Sequence, residues 1–295
     1  MIGADGTLSV RSSNVGGPVK TSVTEYPDGW TDNSTSITLL IHGFNNNQKE
    51  AEDAYKKFLA RLGCWPLNKI GCFYWPGDAE FSFLQILDFL SYPTEIPDAK
   101  ASAQSLANHL QVISENSGNG VEFNLIGHSM GCRLILELLG VLPDNVKINL
   151  IMLMAAAVPV ELLAPGEKLE KISKKLNNRI VLYSESDLVL QYAFPAGQAL
   201  ATTMGTDGGP YFEAVGRHGN PSEFPSKEPI SRNGNDHGDY WDDKIAVTEL
   251  STQLGIAHKR LLTSRSLCEF KEINPSETPF REFCLRNTET RTMRC

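Results

Sequence analysis

The sequence predicts an α/β fold: a mostly parallel central sheet with helices covering both faces. Three observations carry this. Short apolar, β-rich runs alternate with segments of helical periodicity along most of the chain, the pattern of strand–helix–strand crossovers. Several of those runs stop at a glycine or proline turn, as buried strands do. In "VEFNLIGHSMGCRLILELLG", one such strand passes into a helix through a tight turn holding a serine between two glycines, Gly127, Ser129 and Gly131.

Residues 1–35 are rich in Gly, Ser, Thr and Asn and read as short strands or an irregular lead-in. "SITLLIHGF" is a buried strand ended by His42-Gly43. In "QKEAEDAYKKFLARLG", Ala51, Ala54, Tyr55, Phe58, Leu59 and Leu62 form a helical stripe that Gly63 closes. Ile70 to Trp75 form a second strand, turned by Pro76-Gly77. "EFSFLQILDFLSYP", from Glu80 to Pro93, is either a lid over an apolar group or an ordinary buried helix. "DAKASAQSLANHLQVISEN" is a helix, residues 121–126 a third strand and residues 130–139 the helix after it. "KINLIMLMAAA" reads as a fourth strand, "EKLEKISKKL" as a helix and "NRIVLYSESD" as a fifth strand. Residues 205–238, dense in Gly and Pro, read as a long functional loop with a short strand at "YFEAV". "DYWDDKIAVTELSTQLGIAHKRLL" reads as one long helix. One domain is thus expected over residues 1–263, followed by a C-terminal extension over 264–295 of unknown role.

Composition narrows the function classes. With 295 residues, 41% apolar and 21% charged, the chain suits a soluble globular domain with a sizeable core. Its net charge of −8 comes without a basic cluster, so nucleic acid is not an expected partner. The N-terminus lacks the basic and apolar segments of a signal peptide. The longest apolar stretch, Leu150 to Val160, falls well short of the roughly 20 residues that span a bilayer, so no transmembrane segment and a cytoplasmic location are expected. The cysteines are Cys64, Cys72, Cys132, Cys268, Cys284 and Cys295. No Cys-x-x-Cys pair occurs, so a structural zinc site is not expected. Free thiols are the expectation, with a local bridge among the last three left open.

The serine between glycines is the motif with chemistry in it. A very tight strand-to-helix turn strains its central residue and demands small neighbours two positions away, which Gly127 and Gly131 supply. The turn lifts the Ser129 hydroxyl above the sheet at a helix N-terminus, where developing negative charge is favoured. G-x-S-x-G alone is a weak signal; a strand before it and a helix after it are the context that makes it a nucleophile elbow.

With "IHGFNNNQKEAEDAYKKF", "YWPGD", "GHSMGCRL", "YSESDLVL" and "HGDYW", the chain resembles the α/β-hydrolase superfamily, and within it the uncharacterised branch known as DUF900. The resemblance covers about residues 36–262 and implies the α/β-hydrolase fold. It also implies a chain order of serine, acid and histidine.

Asp187, beyond the strand "RIVLYSES", is the expected acid, with Glu185 as its neighbouring rival. His218, His237 and His258 come late enough to serve as the base, and the setting of His237 fits the branch best. The backbone N–H groups of Met130 and, by the resemblance, Phe44 are the expected oxyanion donors. His42 and His128 read as scaffold beside a possible pocket. Trp75 and Asp78 either line the pocket mouth or belong to a structural turn. Neither His-x-x-x-His spacing nor a phosphate-binding Gly-rich loop occurs, and the chemistry calls for no metal and no cofactor.

The expected function is a serine hydrolase of the esterase or lipase type, cleaving carboxylic esters of small molecules or lipids through an acyl-enzyme. Acyl transfer or thioester cleavage on the same triad, or a non-catalytic binding module on the same fold, are the alternatives. Oligomeric state cannot be read from the sequence.

Overall fold

The structure is a computed structural model that describes residues 4–12, 17–44, 47–62, 69–77, 92–117, 120–167, 169, 176, 178–209, 211–219 and 229–254. Among these, eight strands form one sheet. They are β1 (Gly6–Ser9), β2 (Thr24–Tyr26), β3 (Ser36–Ile41), β4 (Lys69–Tyr74), β5 (Glu122–His128), β6 (Lys147–Met154), β7 (Asn178–Tyr183) and β8 (Ile230–Ser231). Their spatial order is β2-β1-β4-β3-β5-β6-β7-β8. Every neighbouring pair is parallel except β1 and β2. The lead-in therefore supplies the edge strand β2 and the short strand β1 beside it.

β3 and β5 are buried along nearly their whole length because both faces of the sheet are covered. From β3 the chain runs through α1 (Gln48–Leu62) leftward to β4. From β5 it runs through α3 (Met130–Val141) rightward to β6. With right-handed crossovers these opposite directions put α1 and α3 on opposite faces. α2 (Tyr92–Asn116) packs beside α3 and α4 (Phe194–Met204) packs against α2, whereas α6 (Lys244–Gln253) packs beside α1. The turn from leftward to rightward winding falls between β3 and β5, where open parallel sheets open a crevice at the strands' carboxyl ends.

α3 is buried on nearly all sides; Leu134, Ile135 and Leu138 are fully enclosed. Each such side chain contributes roughly 1.5–3 kcal/mol. Its one buried cation, Arg133, donates through both terminal nitrogens to Asp207 at 2.9 and 3.1 Å and through Nε to Glu137 at 3.0 Å. This ties α3 to the segment after α4.

Four sequence expectations change. The helix expected from Asp98 begins at Tyr92, because Tyr92 is buried edge-on against Phe194 and its hydroxyl accepts from Gln198 Nε2 at 2.8 Å. Tyr92 and Pro93 thus belong to α2, and the rest of the Glu80–Pro93 segment lies outside the described residues. "YFEAV" is no ladder strand: Ala214 makes one antiparallel bridge to Pro159, and the chain then turns into α5 (Val215–His218). β6 stops at Met154 rather than running through the alanines, because Ala155 turns the chain at φ 45°. The single long helix from Asp239 is broken into a 3-10 turn, Asp239–Asp242, and α6, with Asp243 extended between them as the N-cap that accepts the Ile245 N–H.

Cys72 and Cys132 are buried free thiols. The "EKLEKISKKL" segment is largely outside the described residues, as are the other cysteines and the 264–295 extension. No described helix is long and apolar enough to cross a membrane.

Candidate active site

The crevice between β3 and β5 is where the candidate side chains meet. Ser129 follows β5 at φ 53° and ψ −121°, a region that non-glycine residues occupy only when their surroundings enforce it. Here the enforcement is explicit. The Ser129 N–H donates to Met154 O at 2.9 Å, and its carbonyl accepts from the N–H groups of Cys132 at 3.1 Å and Ala157 at 3.2 Å. α3 starts so close to β3 that a β-carbon on Gly131 would sit 2.4 Å from the His42 carbonyl oxygen; one on Gly127 would sit 2.7 Å from Ile135. Both glycines of the motif are steric necessities of the turn.

Ile41 pairs with Gly127 in register, so the loop after β3 runs beside Ser129. Gly43 lies closest: a β-carbon there would be 2.8 Å from Ser129 Cβ. Phe44 is the next residue. On the other side Met130 opens α3, and as a first-turn residue its N–H has no acceptor within the helix. Phe44 and Met130 thus flank Ser129 from two different strands' ends.

His42 locks the β3 loop. It is fully enclosed and stacks on Trp75 with ring centroids 5.7 Å apart. Its Nδ1–H donates to Gly43 O at 2.8 Å, and Nε2 accepts the Trp75 N–H at 3.3 Å. Trp75 Nε1–H donates in turn to His42 O at 2.9 Å, and the Tyr55 hydroxyl bridges the His42 N–H and Phe73 O at 2.7 Å each. Burial, reinforced by the nearby Arg11 charge, pushes the His42 pKa down to about 3, which suits the neutral tautomer that these bonds require. His42 and Trp75 are both completely enclosed; Asp78 lies outside the described residues.

Asp187 and His237 come from beyond later strands. Asp187 follows β7 and is fully buried. Its Oδ1 accepts the Leu190 N–H at 2.9 Å and its Oδ2 lies 2.7 Å from His237 Nδ1. A carboxylate can only accept, so Nδ1 carries the proton. His237 Nε2 lies 2.9 Å from Ser129 Oγ, and with its lone pair free there it accepts the serine hydroxyl. Ser129, His237 and Asp187 therefore form one hydrogen-bonded line. Glu185 instead donates its main-chain N–H to Asn233 Oδ1 at 3.0 Å. His218 sits at the end of α5 with its Nε2 3.3 Å from Arg217. His258 is outside the described residues.

His128 supports His237. It is buried beside His237, with ring centroids 5.0 Å apart, and its Nε2–H donates to the His237 carbonyl at 2.6 Å. Burial, and then the proximity of His237, push its pKa down to about 3. Its Nδ1 is buried without a hydrogen-bond partner among the described residues.

The sequence pattern did not point to Arg232, Asn235, Asp243 or Ser184, all of which hold the His237 loop. Only Asp243 left a trace, as an acidic residue just ahead of a helical run. A cavity of about 410 Å³ lies elsewhere, at the amino ends of β5, β6 and β7 near Glu122, Lys147 and Asn178, at the edge of the sheet opposite Ser129. Among the described residues no group of three or more His, Cys, Asp or Glu side chains is placed to hold a metal ion.

A parallel sheet with a strained serine at its switch point, and an acid and a histidine delivered by the next strands, is the α/β-hydrolase architecture. Residues 28–202 match the family described as alpha/beta hydrolase of unknown function (DUF900), and the chain belongs to that family. The matched span includes Ser129 and Asp187 and ends before His237. No curated protein matches the chain. Among solved structures it is similar to an uncharacterized protein from Bacillus cereus ATCC 10987, with TM-score 0.43 and 16% identity over 75% of this chain and 60% of that one. It thus spans 60% of the length of that protein. It is also similar to the ydeN gene product of Bacillus subtilis, with TM-score 0.43 and 15% identity over 75% of this chain and 100% of that one. A third is a structure reported for LipS and LipT, two metagenome-derived lipolytic enzymes, with TM-score 0.39 and 14% identity over 81% of this chain and 94% of that one.

Proposed function

We propose that the chain is a serine hydrolase that cleaves carboxylic esters through an acyl-enzyme, with Ser129 as nucleophile, His237 as base and Asp187 as the acid that orients it. The observation that carries this reading is the hydrogen-bonded line from Asp187 Oδ2 through His237 to Ser129 Oγ, at 2.7 and 2.9 Å, ending on a residue held at φ 53°.

A serine hydroxyl is a weak nucleophile at neutral pH and needs a base in contact. His237 Nε2 takes the Ser129 proton as Oγ bonds to the ester carbonyl carbon. The carbonyl oxygen becomes an oxyanion and receives the N–H groups of Phe44 and Met130; each such donor is worth roughly 3–4 kcal/mol in the transition state. The C–O bond to the alcohol then breaks, and His237 returns its proton to the departing oxygen. Water, deprotonated by His237, attacks the acyl-enzyme; the acid leaves and Ser129 is reprotonated. Asp187 stabilises the imidazolium in both halves without itself taking the proton. Small-molecule or lipid esters are the substrate class.

Hydrolysis of p-nitrophenyl esters by wild type and Ser129→Ala tests the assignment, alongside fluorophosphonate labelling and circular dichroism. The expected result is labelling of wild type at Ser129 and a folded variant reduced by about 10⁴-fold or more in kcat. A folded Ser129→Ala protein with wild-type turnover would end this reading.

A further inference from the structure

His237 is carried by a loop between β8, which has two residues, and α6. So short a strand does little to fix the chain beyond it, yet His237 Nε2 must stay within hydrogen-bond reach of Ser129. The mouth of the loop is closed by one ion pair. Arg232 Nε donates to Asp243 Oδ2 at 2.5 Å and Arg232 Nη2 to Oδ1 at 3.0 Å. The same carboxylate accepts Asn235 Nδ2 at 2.9 Å and the Ile245 N–H at 2.8 Å. Asp243 is buried, whereas the Arg232 side chain is 21% exposed.

Both ends of the pair are anchored in the fold. The Arg232 N–H donates to Tyr183 O at 2.6 Å, at the end of β7, and Asp243 caps α6. Asn235, between Arg232 and His237, is held three ways: by Asp243, by its N–H to Arg232 O at 2.9 Å, and by Ser184 Oγ donating to its carbonyl at 3.0 Å. Capping α6 requires only the carboxylate of Asp243. The two-point guanidinium adds something else: a fixed distance and a fixed angle between the two ends of the loop.

We propose that Arg232 and Asp243 form a positioning clamp that sets His237 over Ser129. The proposal rests on the reading of Ser129 as the nucleophile. Neither side chain touches the reacting atoms; both act through the main chain of residues 233–242.

The test uses the full chain with p-nitrophenyl butyrate as substrate. Arg232→Ala is expected to lower kcat by about 30- to 100-fold, the scale of a misplacement near 1 Å, while KM stays within about twofold. Millimolar guanidinium, entering where the partly exposed side chain was, is expected to restore about tenfold of that loss, as two-point recognition requires. Arg232→Lys, which keeps the charge but not the fork, is expected to fall between wild type and Arg232→Ala. Asp243→Asn keeps the cap's shape and serves where Arg232→Ala does not fold; its kcat is expected to fall by about tenfold or more. Wild-type kcat in folded Arg232→Ala or Asp243→Asn overturns the clamp. So does a loss of kcat that guanidinium leaves unmoved and that matches the fraction unfolded by circular dichroism. Ser129→Ala, run in parallel, separates the two claims: if it stays active the nucleophile reading fails, and if it is inactive while folded Arg232→Ala keeps full kcat, the clamp alone fails.

Discussion

The His128 ring donates its Nε2–H to the main-chain carbonyl of His237 at 2.6 Å, joining the end of β5 to the loop that carries His237. The two residues are far apart in the chain, yet this bond fixes the height of one over the other. His128→Phe keeps the ring's bulk and removes the donor. It is expected to lower kcat for p-nitrophenyl esters by about 10- to 100-fold with little change in KM, while His128→Asn, which retains a donor, loses less. Steady-state kinetics on the two variants checks this; equal kcat in wild type and His128→Phe would contradict it.

His42 and His128 also make stability depend on pH. Both fall from an ordinary value of 6.5 to about 3 in the folded protein, chiefly through burial. Each is therefore neutral when folded but takes up a proton when unfolded below pH 6.5. Their stabilisation is fully present above pH 6.5 and is lost as pH falls toward 3. The unfolded chain binds one more proton per residue in this window, about 1.4 kcal/mol per pH unit for each. Urea unfolding from pH 7 to pH 4.5 is expected to show this slope, reduced by one proton in His128→Asn.

The strain at Ser129 has a measurable cost. Glycine tolerates φ 53° more readily than alanine does, so Ser129→Gly is expected to be more stable than Ser129→Ala by about 1 kcal/mol, although both lack the hydroxyl. Thermal melts of the two variants give the comparison, and a higher melting temperature for the alanine variant would contradict the account.

Arg133 is a second, purely structural test. Asp207→Ala strips two of the three hydrogen bonds from its buried guanidinium and leaves the one to Glu137. Removing one member of a buried ion pair typically costs about 3–5 kcal/mol. Chemical denaturation is expected to show that loss for Asp207→Ala; a change below about 1 kcal/mol would mean that water reaches the site.

The strand–helix alternation was legible because burial on both faces writes itself into apolar runs such as "TLLI" in β3. Ser129 was legible as a candidate because the glycine pattern marks it, and Asp187 and His237 because the resemblance implies the chain order in which they fall. The misread elements share a cause: tertiary contacts outweighed local preference. Tyr92 extends α2 because its ring and hydroxyl are buried against α4, and the helix expected from Asp239 is interrupted because Asp243 is drawn into a contact with Arg232. Arg232 and Asn235 carried no pattern at all, and Ser184 stood unmarked inside "YSESDLVL". Their role lies in meeting residues on other strands, and single charged or polar residues in a Gly/Asn-rich loop look alike until the chain is folded.

The two-residue β8 has a consequence for how the protein fails on heating. Ser129 stands at the centre of the sheet, where strands are flanked on both sides, but His237 hangs from the outermost and shortest ladder among the described residues. Edges fray at lower free energy than centres. Warming should therefore silence turnover several degrees before the bulk of the helices melts, and rapid cooling from that interval should bring activity back in full.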